Sequence, residues 1–327
     1  MLPFDYQRPR DIGAALAAAG DNTRFIGGGT NLLDLMKSGV ERPALLLDVN
    51  HLALDRVEET ADGGLRIGAA VRNSDLAEHP LVRTRYPLLS QALLAGASPQ
   101  LRNMATVGGN LLQRTRCDYF VDPAFSQCNK RRPGSGCAAR LGHNRLHALL
   151  GASEHCVAVN PSDMNVALLA LDAIVNVRSA AGERSIPIGE LHRLPGDHPE
   201  RDTTLRPGEL IVSVDLPKPL FAAHSCYLKL RERASFAFAL VSVAVGLDVS
   251  DSTVRSARIA LGGVAHKPWF AEQASAQLAG RALDRLDAEA IGALALQGAQ
   301  PLAHNAYKIP LAKAAVTRAL ERARAAA

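Results

Sequence analysis

Aromatic side chains are scarce in this chain of 327 residues, at 4% of the total. Proteins that grip single-stranded nucleic acid stack its bases on such rings, so that class is disfavoured. Long apolar runs are missing too. None reaches the roughly 18 to 20 residues that span a bilayer, which excludes a transmembrane helix. Neither a Gly-x-Gly-x-x-Gly fingerprint nor a Walker loop occurs. The five cysteines include no pair at the close spacing that zinc sites usually use. At the N-terminus, Met1-Leu2-Pro3-Phe4-Asp5-Tyr6 has no basic segment followed by an apolar stretch, so no signal peptide is expected on this chain.

Acids are scarce in one place. Between Arg102 and Arg145, eight basic residues (Arg102, Arg114, Arg116, Lys130, Arg131, Arg132, Arg140, Arg145) face two acids, Asp118 and Asp122. Such an excess calls for an anionic partner. The stretch is interleaved with cysteines rather than aromatics, so a bound anionic cofactor fits better than nucleic acid.

The length suggests two or three domains. A helix is expected from Pro9 to Gly20, then a short strand Arg24-Phe25-Ile26 running into Gly27-Gly28-Gly29-Thr30-Asn31. Further strands are expected at 45–49 and 65–69, and a helix at 86–95. From Cys117 to Cys156 no apolar period persists, and a structureless stretch of that length needs something to pin it. Ser162 is a good N-cap for a helix over 163–173, followed by a strand at 174–177 and a surface loop at 196–207. Strands near 210–216, 226–230, 241–249 and 254–261, then helices, suggest a separate α+β domain.

Glycines recur where backbone N–H groups must converge on a diphosphate without obstruction. Gly27-Gly28-Gly29-Thr30-Asn31 meets that need, and Thr30 and Asn31 add side-chain donors. Alone it is equally a plain tight turn. A second loop, Ala105-Thr106-Val107-Gly108-Gly109-Asn110, strengthens the reading, because one elongated dinucleotide needs two contact loops.

These two segments, together with Pro161-Ser162-Asp163-Met164, resemble in order the three FAD motifs of the xanthine dehydrogenase flavin subunits. Tyr227-Leu228-Lys229-Leu230-Arg231 and Leu261-Gly262-Gly263-Val264-Ala265 resemble motifs of that family's C-terminal domain. The resemblance covers nearly the whole chain. It implies that Ile26, Gly27, Gly28, Gly29, Thr30, Asn31, Leu32 and Leu33 contact the FAD pyrophosphate, with Thr106, Gly109 and Asn110 beside the cofactor. Asp163 would accept a hydrogen bond from a cofactor hydroxyl, Lys229 would lie near the flavin ring, and Ala97 would line the same cleft. On the residues alone, Asp163 is equally a first-turn acid favoured by the helix dipole, and Lys229 a solvated strand residue.

Four of the cysteines, Cys117, Cys128, Cys137 and Cys156, are spaced C-x10-C-x8-C-x18-C. A four-iron cluster suits the local charge: its oxidised core carries about +2 and four thiolates about −4, leaving about −2 for the basic residues to balance. Zinc and two disulfides remain alternatives on the residues alone. Cys226 stands apart and reads as a small buried hydrophobe. His143, His147 and His155 read as solvated or hydrogen-bonded neighbours rather than ligands. The segments around the four cysteines are similar to the FAD subunit of bacterial periplasmic aldehyde oxidoreductases, which implies an extra [4Fe-4S] cluster here.

The fold class that the resemblance implies is α+β: a vanillyl-alcohol-oxidase-type (PCMH-like) FAD domain of two subdomains, plus a smaller C-terminal α+β domain. Its expected bounds are 1–178 for the FAD-binding domain with the cysteine-bearing insert at 111–160, 179–220 for a connecting segment, and 221–327 for the C-terminal domain. The implied function is electron transfer. A molybdopterin-binding large subunit oxidises the substrate, a [2Fe-2S] small subunit relays electrons, and this chain passes them through FAD to an external acceptor. No catalytic residue, nucleic acid or membrane is expected. Co-export to the periplasm with a signal-bearing partner follows from the same resemblance, with the cytoplasm as the alternative. A self-contained reductase resembling UDP-N-acetylenolpyruvoylglucosamine reductase is a rival, though such enzymes have no need of the cysteine insert. A metal-stapled interaction protein is another.

Overall fold

A computed structural model describes residues 1–326. Its first sheet has three parallel strands in the order Asp5–Gln7, Leu45–Asp48, Thr23–Ile26. The crossover helix Ile12–Ala18 begins where the Asp11 carboxylate accepts a hydrogen bond from the Ala14 amide, so Asp11 sets the start rather than Pro9. Ala15 of this helix is buried against Leu52 and Leu210.

Five antiparallel strands make the second sheet, in the order Val57–Glu59, Leu65–Gly68, Leu210–Leu216, Ile174–Ser179, Gly182–Pro187. Two of them fall in 179–220, which the sequence reading treats as a connector. Leu210, Ile211, Val214 and Leu216 are buried there, and the strand that carries them pairs on both edges, so this segment is interior to the sheet. The helix Asp163–Ala170 has every residue buried, with Asp163 and Asn165 its only polar side chains. It stops short of residue 173 because Asp172 turns to φ +57° before the next strand.

The third sheet, also antiparallel, runs Trp269–Phe270, Thr253–Gly262, Val241–Ser250, Ser225–Leu230. Side chains alternate across a strand, and here both faces are apolar. Val241, Val243, Val245 and Leu247 pack with Ala312, Val316 and Ala319 of the helix Lys308–Ala325. Ala244 and Tyr227 face the other way, into the core around Val166 and Ala167. Each fully buried valine or leucine contributes about 1.5–3 kcal/mol relative to exposure, so this two-faced burial welds the C-terminal domain to the rest. The alternation also puts Tyr227 and Lys229 on the face toward the helix Asp163–Ala170.

Residues 111–160 hold only a short helix, Asp118–Val121, and one 3-10 turn, Ala138–Arg140. Protein contacts pin the remainder. Cys128 and Cys137 face each other in an antiparallel bridge, and the Leu149 and Leu150 amides both donate to the Val264 carbonyl. The buried Lys308 ammonium donates to the carbonyls of Leu146, His147 and Gly263. No helix among the described residues is long and apolar enough to cross a membrane.

Candidate functional site

The two glycine loops lie against each other. A Cβ on Gly28 would sit 1.8 Å from the Met104 carbonyl oxygen, and one on Gly27 would sit 2.7 Å from the Thr106 hydroxyl. Gly29 has φ +71°, which side chains rarely adopt. Glycine is therefore required here by the approach of one loop to the other, besides any ligand. Ile26, Leu32 and Leu33 pack in a small apolar cluster with Met36 and Leu46, which anchors both ends of the first loop while Thr30 stays partly exposed. Asn31 accepts a hydrogen bond from the Arg114 amide at 2.8 Å, and its own Nδ2 is buried without a partner. An unspent buried donor beside a glycine cradle fits an anionic diphosphate.

In the second loop Thr106 caps the helix Val107–Leu111 by accepting from the Gly109 amide at 3.2 Å. Asn110 accepts from Ser162 at 2.8 Å, which ties this loop to the third motif. Two residues missed by sequence reasoning clamp the loops from behind. Arg72 donates to the Met104 carbonyl and, at 3.0 Å, to Asn50, while Asn50 donates to the Gly27 carbonyl at 3.2 Å. No motif marks either residue; only the loops' contact reveals them.

Asp163 and Lys229 meet directly. The Lys229 ammonium is 2.8 Å from Asp163 Oδ2 and also donates to the Ala95 carbonyl at 3.1 Å. Tyr227 donates to Asp163 Oδ1 at 2.6 Å. Burial pushes the Tyr227 phenol well above its usual range, and the Asp163 carboxylate adds to this, so the phenol stays a donor. Lys229 is thus not the solvated strand residue of the plainer reading. Ala97, in the turn after Ala95, is exposed at φ +48°, and its carbonyl accepts from the Phe236 amide, itself at φ +52°. Asp163 and Lys229 thus join the two domains, and Asn110, through Ser162, ties the second glycine loop to the same helix.

The four insert cysteines share one neighbourhood. Burial pushes the Cys117 thiol up to about 12, with the Cys156 and Cys128 thiols adding to it. Burial likewise pushes Cys156 up to about 11, opposed by the Lys130 ammonium, with Cys137 and Cys128 adding. All five cysteines are free thiols, so the pairing into two disulfides is not formed. Among the described residues no group of three or more His, Cys, Asp or Glu side chains is arranged to hold a single metal ion. One zinc at about 2.3 Å from each sulfur needs thiols nearly in contact, whereas a cube of four irons stands its thiolates farther apart. Four thiols with no carboxylate among them are the donor type that an iron–sulfur cluster takes. Asn129 links the cysteine-bearing segments: its side-chain carbonyl accepts from the Gly136 amide at 2.8 Å, and its amide donates to the His155 carbonyl at 3.0 Å.

Six of the eight basic residues of this stretch have hydrogen-bond partners other than the cysteines. Arg114 bonds Glu41 and Asp202, Lys130 bonds Asp202, and Arg145 bonds Glu232. Arg102, Arg131 and Arg140 donate to backbone carbonyls. Glu41, Asp202 and Glu232, distant in sequence, pair with three of these cations, which local charge counting does not reveal. Among the described residues the one side-chain hydrogen bond to a cysteine sulfur comes from His147, with Nε2 3.1 Å from Cys117 Sγ. The loop at 196–207 is irregular as expected, yet its Asp202 is a partly buried hub between Arg114 and Lys130.

Residues 2–219 match the family model for the FAD binding domain in molybdopterin dehydrogenase, and residues 226–323 that for the CO dehydrogenase flavoprotein C-terminal domain. The chain is 52% identical to the aldehyde oxidoreductase FAD-binding subunit PaoB of Escherichia coli, over 100% of both chains. It is 28% identical to the glyceraldehyde dehydrogenase medium chain of Sulfolobus acidocaldarius, over 86% of this chain and 83% of that one. A solved structure of reconstituted CO dehydrogenase from Oligotropha carboxidovorans superposes with a TM-score of 0.78 at 26% identity, covering 100% of both chains. The α+β architecture expected from the motifs is the one seen. With both domains matched in order along one continuous chain, this protein belongs to the FAD-binding medium subunits of the xanthine dehydrogenase and CO dehydrogenase family and is an oxidoreductase subunit.

Proposed function

We propose that this chain is the electron-transfer subunit, carrying both FAD and a [4Fe-4S] cluster, of a molybdenum-dependent aldehyde oxidoreductase complex. The observation that carries the reading is the 52% identity, end to end, to an aldehyde oxidoreductase FAD-binding subunit. Its partners are a molybdopterin-binding large subunit, where the aldehyde is oxidised, and a small [2Fe-2S] subunit, the three forming a heterotrimer. When bound, FAD and the cluster supply the electron-carrying chemistry between the partner's iron–sulfur centres and an external acceptor.

The chain's own residues hold and shield these groups. Gly27, Gly28 and Gly29 bring bare backbone to the diphosphate, and Asn31 adds its unspent donor. Asp163 and Lys229 neutralise each other and Tyr227 donates to the same carboxylate, so the three fix geometry rather than move protons to a substrate. Cys117, Cys128, Cys137 and Cys156 are the cluster ligands in this reading.

The test uses the chain purified with and without its partners. Alone it should carry flavin and iron yet leave aldehydes untouched; in the complex, aldehyde should bleach the flavin band. Aldehyde turnover by the isolated chain would refute the assignment. The same reading puts the assembled complex in the periplasm, exported folded beside a partner bearing a twin-arginine signal. Fractionation that finds the complex only in the cytoplasm, with no signal on any partner, would overturn that placement in favour of the cytoplasmic alternative.

A further inference from the structure

We propose that His147 donates a hydrogen bond to the Cys117 sulfur and thereby raises the reduction potential of the cluster that Cys117, Cys128, Cys137 and Cys156 hold. The inference rests on the cluster reading above and deepens it. His147 Nε2 is 3.1 Å from Cys117 Sγ, and the residue is 6% exposed.

The direction of the bond follows from the other ring nitrogen. His147 Nδ1 is buried and has no partner. A neutral imidazole carries one N–H. On Nδ1 that N–H would be buried without an acceptor, and the Nε2 lone pair would face the sulfur's own. On Nε2 it meets an acceptor. The tautomer that satisfies the donor is the one that points it at Cys117.

The ring is also held in place. The His147 amide donates to the Asn144 carbonyl at 3.1 Å. Its carbonyl accepts from Lys308 Nζ at 3.0 Å and from Asn305 Nδ2 at 3.1 Å. The main chain of His147 is therefore fixed by the C-terminal helix and the segment before it. Lys308 and Asn305 also hold the carbonyls of Leu146 and Ala148, so the segment that carries the imidazole is braced on both sides of it. Among the described residues this is the one side-chain hydrogen-bond contact with a cysteine sulfur.

Reduction of such a cluster adds one electron, taken from the partner's [2Fe-2S] centre or from dithionite in a titration, and no bond is made or broken in the protein. The added negative charge is shared by the thiolates. An N–H aimed at one of them stabilises the reduced form more than the oxidised form. His147 keeps its proton throughout and is a positioning residue, not a catalytic one.

The test is a redox titration of the purified complex followed by electron paramagnetic resonance, with iron and sulfide counted in each sample. The signal of this chain's cluster is identified as the one missing from Cys137→Ser. His147→Phe keeps a ring in the same space but has no donor, and His147→Gln keeps a donor. With full iron, His147→Phe should titrate lower by about 59 mV, a tenfold shift in a one-electron equilibrium, while His147→Gln should recover much of the difference. An unchanged potential in iron-replete His147→Phe overturns the inference and leaves the cluster reading standing. If His147→Phe fails to load iron, His147→Met serves as the donor-free variant under the same criterion. Iron loss in all three variants overturns the inference in favour of simple bracing. A wild-type chain without iron sinks the cluster reading itself, a result distinct from the other two.

Discussion

The Lys229 ammonium lies 2.8 Å from the Asp163 carboxylate, with 3% and 8% of their side chains exposed, and the two residues belong to different domains. Breaking a buried pair on one side leaves an uncompensated charge. Lys229→Met should therefore cost about 3 kcal/mol of stability in chemical denaturation. Adding Asp163→Asn should restore part of that loss, since Tyr227 can still donate to the amide oxygen. An additive double variant would show that the two groups are not coupled.

Gly28 is constrained by protein before any cofactor arrives. A single methyl there would meet the Met104 carbonyl at 1.8 Å, so even Gly28→Ala should push the loops apart and yield flavin-poor protein. Gly20→Ala, where the nearest atom stands 3.9 Å away, should keep its flavin and serves as the control. Normal flavin absorbance in Gly28→Ala would separate the loop contact from FAD retention.

Iron and acid-labile sulfide should each approach about four per chain in anaerobically prepared protein, the content of a cubane. Serine at Cys117, Cys128, Cys137 or Cys156 should lower both. Cys226→Ser should not, because Cys226 packs in the C-terminal core with Val243 and Val245. Zinc in place of iron, or equal damage from Cys226→Ser, would show the ligand set to be wrong.

Acid should loosen the grip of Asp202 on the insert. Burial would raise this carboxyl, but the Lys130 and Arg114 cations outweigh it and hold the group well below its usual range. A depressed carboxylate contributes stability that is complete above its unfolded value of about 3.9 and is lost as pH falls below it. Stability measured from pH 5 downward should fall more steeply in the wild type than in Asp202→Asn. Parallel curves would mean that Asp202 does not report on acid unfolding.

Local signals carried much of the outcome. Ser162 capped its helix as its side chain dictates, and strands formed near Leu210, Cys226, Val241 and Val254 where they were expected. The mutual approach of the two glycine loops agrees with their composition, because only glycine tolerates a backbone contact as close as that of Gly28 with Met104. What the sequence could not determine depended on partners far along the chain. The strand Leu210–Leu216 was expected, but its place between two strands of the second sheet was not, because a strand's neighbours are chosen by the fold. Arg72 and Asn50 became a clamp only once two loops lay on one another. The basic residues of the insert turned to Glu41, Asp202 and Glu232, since charges pair by distance in space. His147 reached Cys117 for the same reason: an imidazole thirty positions away is a neighbour only after the chain has turned back on itself and Lys308 has fixed the turn.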